Sequence, residues 1–538
     1  EGISLIKNDE TIMTAFRLMN RAILLQHLKT KQKALEWEIN GRDHVLSQVY
    51  REIDINDAKT WPDLNYIPAW YPYQVAFILI NIKSIVDPTS TDRDNVECLW
   101  FPTGGGKTEA YLGLIAFSIF YRKLMNPDST GVIAVMRYTL RLLTAQQFQR
   151  ASSLIVACDV IRHGMKEILG EKPISIGLWV GPMSPNRTVD SKSNYNDMMT
   201  DPTVANRLII NKCPWCSALM GQHTLYNEEG KPFYRLLGYR QLRDGIRYIC
   251  ENEKCHYSKI KRPLPVYVVD EDIYKVKPSL IIGTVDKFAR LAWDDSRHDS
   301  INLFRHIDKI QDPPDLIIQD ELHLISGPLG SVVGMYETTM QNVFAKRLSD
   351  QIIYPKIIAS TATVTRASEQ INQLYNNRYE SNYYVDEMVN LFPHPVIDYN
   401  DSFFGKELDD PQSSRIYVGL NPTGYSDPKT AQVRIISSLL QGTKNLDVAA
   451  ESDRDPYWTL MMYFNSIREL SGVSTLIHQD VLSYLDQLKS RKYPDVLEEI
   501  YNLDEEERKT AWGKVCLRSK FLNDLELTSR QTTDISDA

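Results

Sequence analysis

Three consecutive glycines, Gly104, Gly105 and Gly106, run directly into Lys107 and Thr108, and the string Phe101-Pro102-Thr103-Gly104-Gly105-Gly106-Lys107-Thr108 lies between an apolar run and a helical stretch, Glu109 to Met125. Such a setting lets a backbone wrap a polyphosphate. The glycines allow successive N–H groups to turn inward, and the helix start adds its positive end. Lys107 would then meet the β and γ phosphates of a nucleoside triphosphate, and Thr108 would offer its hydroxyl to Mg2+. A second group follows the apolar run Leu316-Ile317-Ile318-Gln319, in the order Asp320-Glu321-Leu322-His323. Carboxylates at the C-terminal end of a parallel strand stand where such sheets gather their ligands. Asp320 suits Mg2+, directly or through water. Glu321 suits orienting and deprotonating an attacking water, and His323 would link nucleotide state to the rest of the molecule. A glycine turn alone can bind nothing, and carboxylates often only solvate a strand end. The two strings carry weight as a pair.

Four of the seven cysteines form two close pairs, Cys213-Pro214-Trp215-Cys216 and Cys250-Glu251-Asn252-Glu253-Lys254-Cys255. Four thiolates at this spacing can close a tetrahedral structural Zn2+ site, which has no open position for chemistry. A redox Cys-x-x-Cys would leave Cys250 and Cys255 unexplained. Cys98, Cys158 and Cys516 lack close partners and read as core residues.

The elements that must hold these groups are legible as short apolar runs. Residues 96–101, 132–136, 174–180, 280–284, 315–318 and 357–361 each read as a strand buried on both faces, which predicts an α/β fold with a parallel sheet and helices on either side. Ile12, Phe16, Met19 and Ile23 recur at helical spacing and predict an amphipathic helix packed on the body of the protein. Residues 1–60 are therefore expected to form an N-terminal helical segment, with a nucleotide-binding domain over 61–180 and 279–375. Residues 181–278, polar and carrying the cysteine pairs, read as an insertion. Residues 376–450 read as a connecting segment. Over 451–538 a new domain is expected to begin, with a first strand at Trp458–Phe464 and a helix from about Ser466.

At 538 residues the chain is too long for one core. With 43% hydrophobic and 24% charged residues it is expected to fold rather than stay disordered. The net charge of −8 argues against a protein that coats nucleic acid with its whole surface, leaving room only for a local basic groove. No apolar run is long enough for a membrane span and residues 1–10 do not resemble a signal peptide, so a cytoplasmic location is expected.

Together these strings resemble the superfamily 2 helicases of the DEAH type. Helicases commonly carry Ala-Pro-Thr-Gly-x-Gly-Lys-Thr, from which this chain departs at Phe101. The resemblance implies a RecA-like first domain with a zinc-ribbon-type insertion and the start of a second RecA-like domain, and ATP, Mg2+ and structural Zn2+ as its ligands. It assigns Thr103 to the phosphate loop, Gln74 to an adenine edge, and Ser360-Thr361-Ala362-Thr363 to coupling hydrolysis with nucleic-acid binding. Thr139 and Arg141, and Thr284 and Lys287, fall where such enzymes touch a sugar-phosphate backbone without reading bases. Longer strings, Thr139 to Gln147, Cys213 to Cys216, Gly283 to Phe288 and Tyr463 to Ser466, resemble one family more closely, the helicase subunit of the DISARM anti-phage defence system. That implies an ATP-dependent motor on DNA, a companion subunit, a methyltransferase in the same system, and no membrane. A complete helicase also has a run near Gln-x-x-Gly-Arg-x-x-Arg, which is not found after residue 463, so the second domain reads as cut off and weak ATP hydrolysis is expected. An RNA helicase and a zinc-stabilised, nucleotide-switched scaffold are the alternatives.

Overall fold

In the computed structural model, residues 1–485 and 504 are described, except for 41–42, 65, 102–103, 140, 182–183, 227–231, 290, 292–299, 308–310, 349–350, 363–365, 376–388, 395–398, 402–415, 425–426, 445 and 447–449. The chain divides into two compact units, Glu1–Lys406 and Glu407–Ala538.

The first unit is built on eight strands: β1 (Val96–Trp100), β2 (Ala134–Tyr138), β3 (Ile176–Trp179), β4 (Val266–Tyr267), β5 (Leu280–Thr284), β6 (Leu316–Gln319), β7 (Lys356–Thr361) and β8 (Val389–Phe392). Their order across the sheet is β4-β3-β5-β2-β6-β7-β1-β8, and every neighbouring pair is parallel. All six strands expected from the apolar runs are present. The two unexpected ones, β4 and β8, are the sheet's edges.

Because side chains alternate across a strand, each inner strand feeds two cores. Leu316 and Ile318 join one, with helices α1 (Glu10–Thr30), α2 (Pro72–Val86), α3 (Lys107–Met125) and α4 (Arg141–Gly164). Ile317 joins the other, with α6 (Gly327–Phe344) and α7 (Ala367–Tyr375), while α5 (Asp270–Val276) contributes Ile273 to that same side. Helices therefore cover both faces. The amphipathic N-terminal helix is α1, which buries Ile12, Met19 and Ile23 and starts on an Asp9 side chain that accepts from the Ile12 N–H at 3.0 Å. It lies against α3 and α4, so it braces the helix that follows the glycine loop.

Between β3 and β4 the chain forms two antiparallel hairpins, Gly221–Tyr226 with Pro232–Leu237 and Tyr239–Leu242 with Gly245–Tyr248. Residues 35–37 of the N-terminal segment dock here. The Leu35 N–H donates to Ser217, and Trp37 Nε1 donates to the Leu219 carbonyl at 2.8 Å.

In the second unit the helices α8 (Pro428–Lys444) and α9 (Ile467–Leu476) share a small apolar core with Val481 and Leu485. Ser466 caps α9 through the Glu469 N–H, so a helix begins where the pattern predicted one. The strand expected over Trp458–Phe464 is not formed: residues 459–464 carry no strand pairing. Leu460, Met462 and Phe464 instead pack their alternate side chains on that core. An apolar alternation specifies a face, but a strand also needs a neighbour to take its hydrogen bonds. No helix among the described residues is long and apolar enough to cross a membrane.

Candidate nucleotide site and cysteine cluster

The glycine loop leaves the end of β1 and turns into α3 through Gly104 and Gly106, both at positive φ, 83° and 86°. Side chains rarely adopt that conformation, and a Cβ on Gly106 would stand 3.0 Å from Gln74 Nε2. Two side chains from the start of α2 hold the loop. The Tyr73 hydroxyl donates to the Gly105 carbonyl at 2.5 Å, and Gln74 Nε2 donates to that of Gly106 at 2.8 Å. Gln74 Oε1 accepts from the Tyr71 N–H at 2.8 Å. Both ends of the Gln74 amide are therefore engaged with backbone around the loop. Phe101, where the motif departs from its relatives, stacks on Tyr73 with ring centres 4.1 Å apart.

Lys107 is the first residue of α3 and is 7% exposed, its amine donating to the Phe101 carbonyl at 3.0 Å. Burial lowers the pKa of this ammonium, while Glu321 and Asp320 raise it. The loop lysine thus lies in the field of both carboxylates. A direct link joins the two motifs: the Tyr111 hydroxyl is 2.5 Å from Asp320 Oδ2 and 3.1 Å from Thr108 Oγ1. The strand order explains the meeting, since β1 and β6 flank β7 and their C-terminal ends open on the same edge.

Asp320 is buried, whereas the side chains of Glu321 and His323 are 21% and 33% exposed. Glu321 sits at φ 48°, an uncommon conformation for a side-chain-bearing residue, with its N–H on Asp320 Oδ1 at 2.9 Å. Its carboxylate lies 3.4 Å from His323 Nδ1, and that same nitrogen lies 3.3 Å from the Thr361 hydroxyl. His323 therefore bridges the carboxylate string and the end of β7. Ser360 is fully buried, its hydroxyl without a partner among the described residues, and Ala362 follows at the end of β7. Thr103 and Thr363 lie outside the described residues, as does the side chain of Arg141.

The expected backbone contacts are placed differently. Thr284 is fully buried and Lys287 is 6% exposed, its amine paired with Asp270 of α5. Neither side chain faces an open groove, because the turn after β5 packs Phe288 into the core beside Trp179. Thr139 is half-buried, with no partner for its hydroxyl among the described residues. Sequence reading also missed Tyr73, Tyr111 and Tyr138. Only Tyr111 had a local signal: it follows Thr108 by three residues, which on a helix makes the two neighbours.

The cysteine pairs do meet. Sγ of Cys213 is 3.9 Å from that of Cys255, Sγ of Cys216 is 3.4 Å from that of Cys250, and all four lie within 4.8 Å of one another, buried. Thiolates bound tetrahedrally at about 2.3 Å from zinc stand about 3.8 Å apart, so this donor set fits the ion. Lys29 of α1 lies beside the cluster, its amine 4.2 Å from the Trp215 ring centre and 3.0 Å from Glu52.

No protein-family model matches the chain. Among solved structures, the DEAD-box helicase Mss116 bound to ssRNA and UDP-BeF is 15% identical with a TM-score of 0.29, covering 56% of this chain and 38% of that one. An S. cerevisiae Dbp5 variant bound to Nup159, Gle1, IP6 and ADP is 12% identical with a TM-score of 0.24, covering 57% and 51%. The fold assignment rests on the strand order rather than on likenesses of that size. In sequence, the DISARM protein DrmA of Bacillus paralicheniformis is 35% identical over 535 residues, which is 91% of this chain and 44% of that protein. The chain thus spans a little under half the length of this curated relative. The resemblance to a DISARM subunit, carried in the sequence by short strings, extends along nine-tenths of the chain.

Proposed function

We propose that the chain is the nucleotide-binding part of an ATP-dependent DNA motor of the helicase type, acting in bacterial anti-phage defence. One observation carries the reading: a loop lysine and threonine, and a carboxylate pair, come from distant parts of the sequence and converge through Tyr111 at one edge of a parallel sheet. Gly104 to Gly106 and Lys107 would take the β and γ phosphates, and Thr108 and Asp320 would hold Mg2+. Mg2+ would neutralise charge on the phosphates. Glu321, more open to solvent than Asp320, would orient the attacking water. Gln74, buried with both ends of its amide engaged on the backbone around the loop, would reach a purine edge only if those contacts loosen.

His323 and Thr361 would pass the state of Glu321 to a nucleic-acid groove that includes Thr139 and Arg141. Contacts to the backbone suit a motor that must travel over any sequence. Thr284 and Lys287 belong to that groove only if the turn after β5 opens. The cysteine cluster would hold a structural Zn2+. A companion DISARM subunit is the proposed partner, on the strength of the relative's name, and a methyltransferase is the further partner that the family resemblance implies.

The test is nucleotide chemistry in the full chain. Lys107→Ala should abolish binding of an ATP analogue, and Glu321→Gln should retain binding but lose DNA-stimulated turnover by about a hundredfold or more. Unchanged binding in the first variant, or unchanged turnover in the second, rejects the assignment. Competition between single-stranded DNA and RNA decides the substrate, and tighter RNA binding overturns the DNA reading.

A further inference from the structure

The phosphate loop and the carboxylate string are joined by a residue that belongs to neither. Tyr111 lies one turn into α3 and is 1% exposed. Tyr336, Tyr239 and Tyr248, also buried, rest their hydroxyls on the backbone carbonyls of Val285, Ile210 and Leu208, and Tyr257 meets one carboxylate, that of Asp159, at 3.1 Å. Tyr111 instead meets two side chains from separate motifs, at 2.5 Å from Asp320 Oδ2 and 3.1 Å from Thr108 Oγ1. A phenol has one proton to give, and beside a carboxylate it goes to the carboxylate, leaving its oxygen to accept from the threonine hydroxyl. The second oxygen of Asp320 accepts from the Glu321 N–H at 2.9 Å. Both ends of the carboxylate are thus held, one by its own strand end and one by α3.

We propose that Tyr111 is a positioning residue of the magnesium site, whose hydroxyl sets the spacing and orientation of the Thr108 hydroxyl and the Asp320 carboxylate so that the two receive one Mg2+ ion with the nucleotide. Outer-shell donors of this kind fix the geometry of first-shell ligands, and losing one typically costs ten- to a hundredfold in metal affinity. The inference rests on the nucleotide-site reading above.

Tyr138, at the end of β2, supplies the comparison. Its hydroxyl is as buried as that of Tyr111 and lies near Asp320 and Tyr111, but among the described residues it makes no hydrogen bond of ordinary geometry. The experiment titrates Mg2+ into the full chain in the presence of a fluorescent, non-hydrolysable ATP analogue, and separately measures analogue affinity in EDTA. Tyr111→Phe should raise the Mg2+ midpoint by about ten- to a hundredfold while leaving the EDTA affinity within about twofold of wild type. Tyr138→Phe should move the Mg2+ midpoint by much less. Equal shifts in the two variants, an unshifted Tyr111→Phe, or a Tyr111→Phe chain that fails to fold while Tyr138→Phe folds would each overturn the proposal. The last result would make the hydroxyl a structural brace. A wild-type chain that binds the analogue identically with and without Mg2+ would instead bring down the reading of the site itself, and this inference with it.

Discussion

Arg137 and Glu337 are fully buried against one another, the guanidinium nitrogens 2.6 and 3.2 Å from the two carboxylate oxygens. Taking both charges out of water is costly, and only this two-point geometry offsets the cost. Arg137→Met should therefore lose about 3–5 kcal/mol in denaturant unfolding, since it strands the buried Glu337 carboxylate without a countercharge. Arg137→Met with Glu337→Leu should recover most of that loss. A double variant no more stable than the single one would show that the pair is net stabilising in itself. Arg137 also shows where sequence reading stops at this scale. It stands two residues before Thr139, which reads as a nucleic-acid contact, yet its partner is distant in sequence, and a guanidinium looks the same whether it faces phosphate or a buried carboxylate. Lys287 with Asp270 and Tyr111 with Asp320 escaped notice for the same reason. The meeting of the glycine loop with Asp320, and of the two cysteine pairs with one another, was legible because each is announced by two short strings that make sense together.

At the level of elements, the inner strands were read correctly because burial on both faces requires a continuous apolar run. The edges were not. The β4 strand has only two residues, and β8 lies in a stretch whose composition reads as a connection. The most consequential element is the cysteine knuckle, onto which the N-terminal segment docks through Leu35, Trp37 and Lys29. Two-stranded hairpins are marginal in water without further support, so the ion should hold both the hairpins and the segment docked on them. Stripping zinc with a chelator, or replacing Cys216 with Ser, should lower the melting temperature and speed amide exchange at residues 35–37 as well as in the hairpins. Zinc content of the purified chain, by atomic absorption, should be one equivalent. Protection at 35–37 that is indifferent to chelation would show that the segment docks independently of the metal.

At the level of the whole molecule, the eight-stranded sheet, the glycine loop, the carboxylate pair and the cysteine cluster all fall within residues 1–406. The two large apolar cores also lie entirely within that unit, while the small core around Val433, Leu440 and Val481 belongs entirely to the second. A unit that buries its own core and satisfies its own sheet can fold alone. The stretch expected to connect the domains, 376–450, contributes on both sides of the division, supplying β8 to the first unit and α8 to the second. Polar composition marked where the chain loosens but not which core each part joins, because that depends on partners elsewhere in the sequence. A fragment comprising residues 1–406 should therefore melt in one cooperative transition and bind an ATP analogue with the affinity of the full chain, since every group proposed to touch nucleotide is in it. Differential scanning calorimetry and analogue titration check both parts. A fragment that folds but binds tenfold more weakly would mean that residues beyond 406 contribute to the nucleotide site, and one that does not fold would mean that the sheet relies on packing from the second unit.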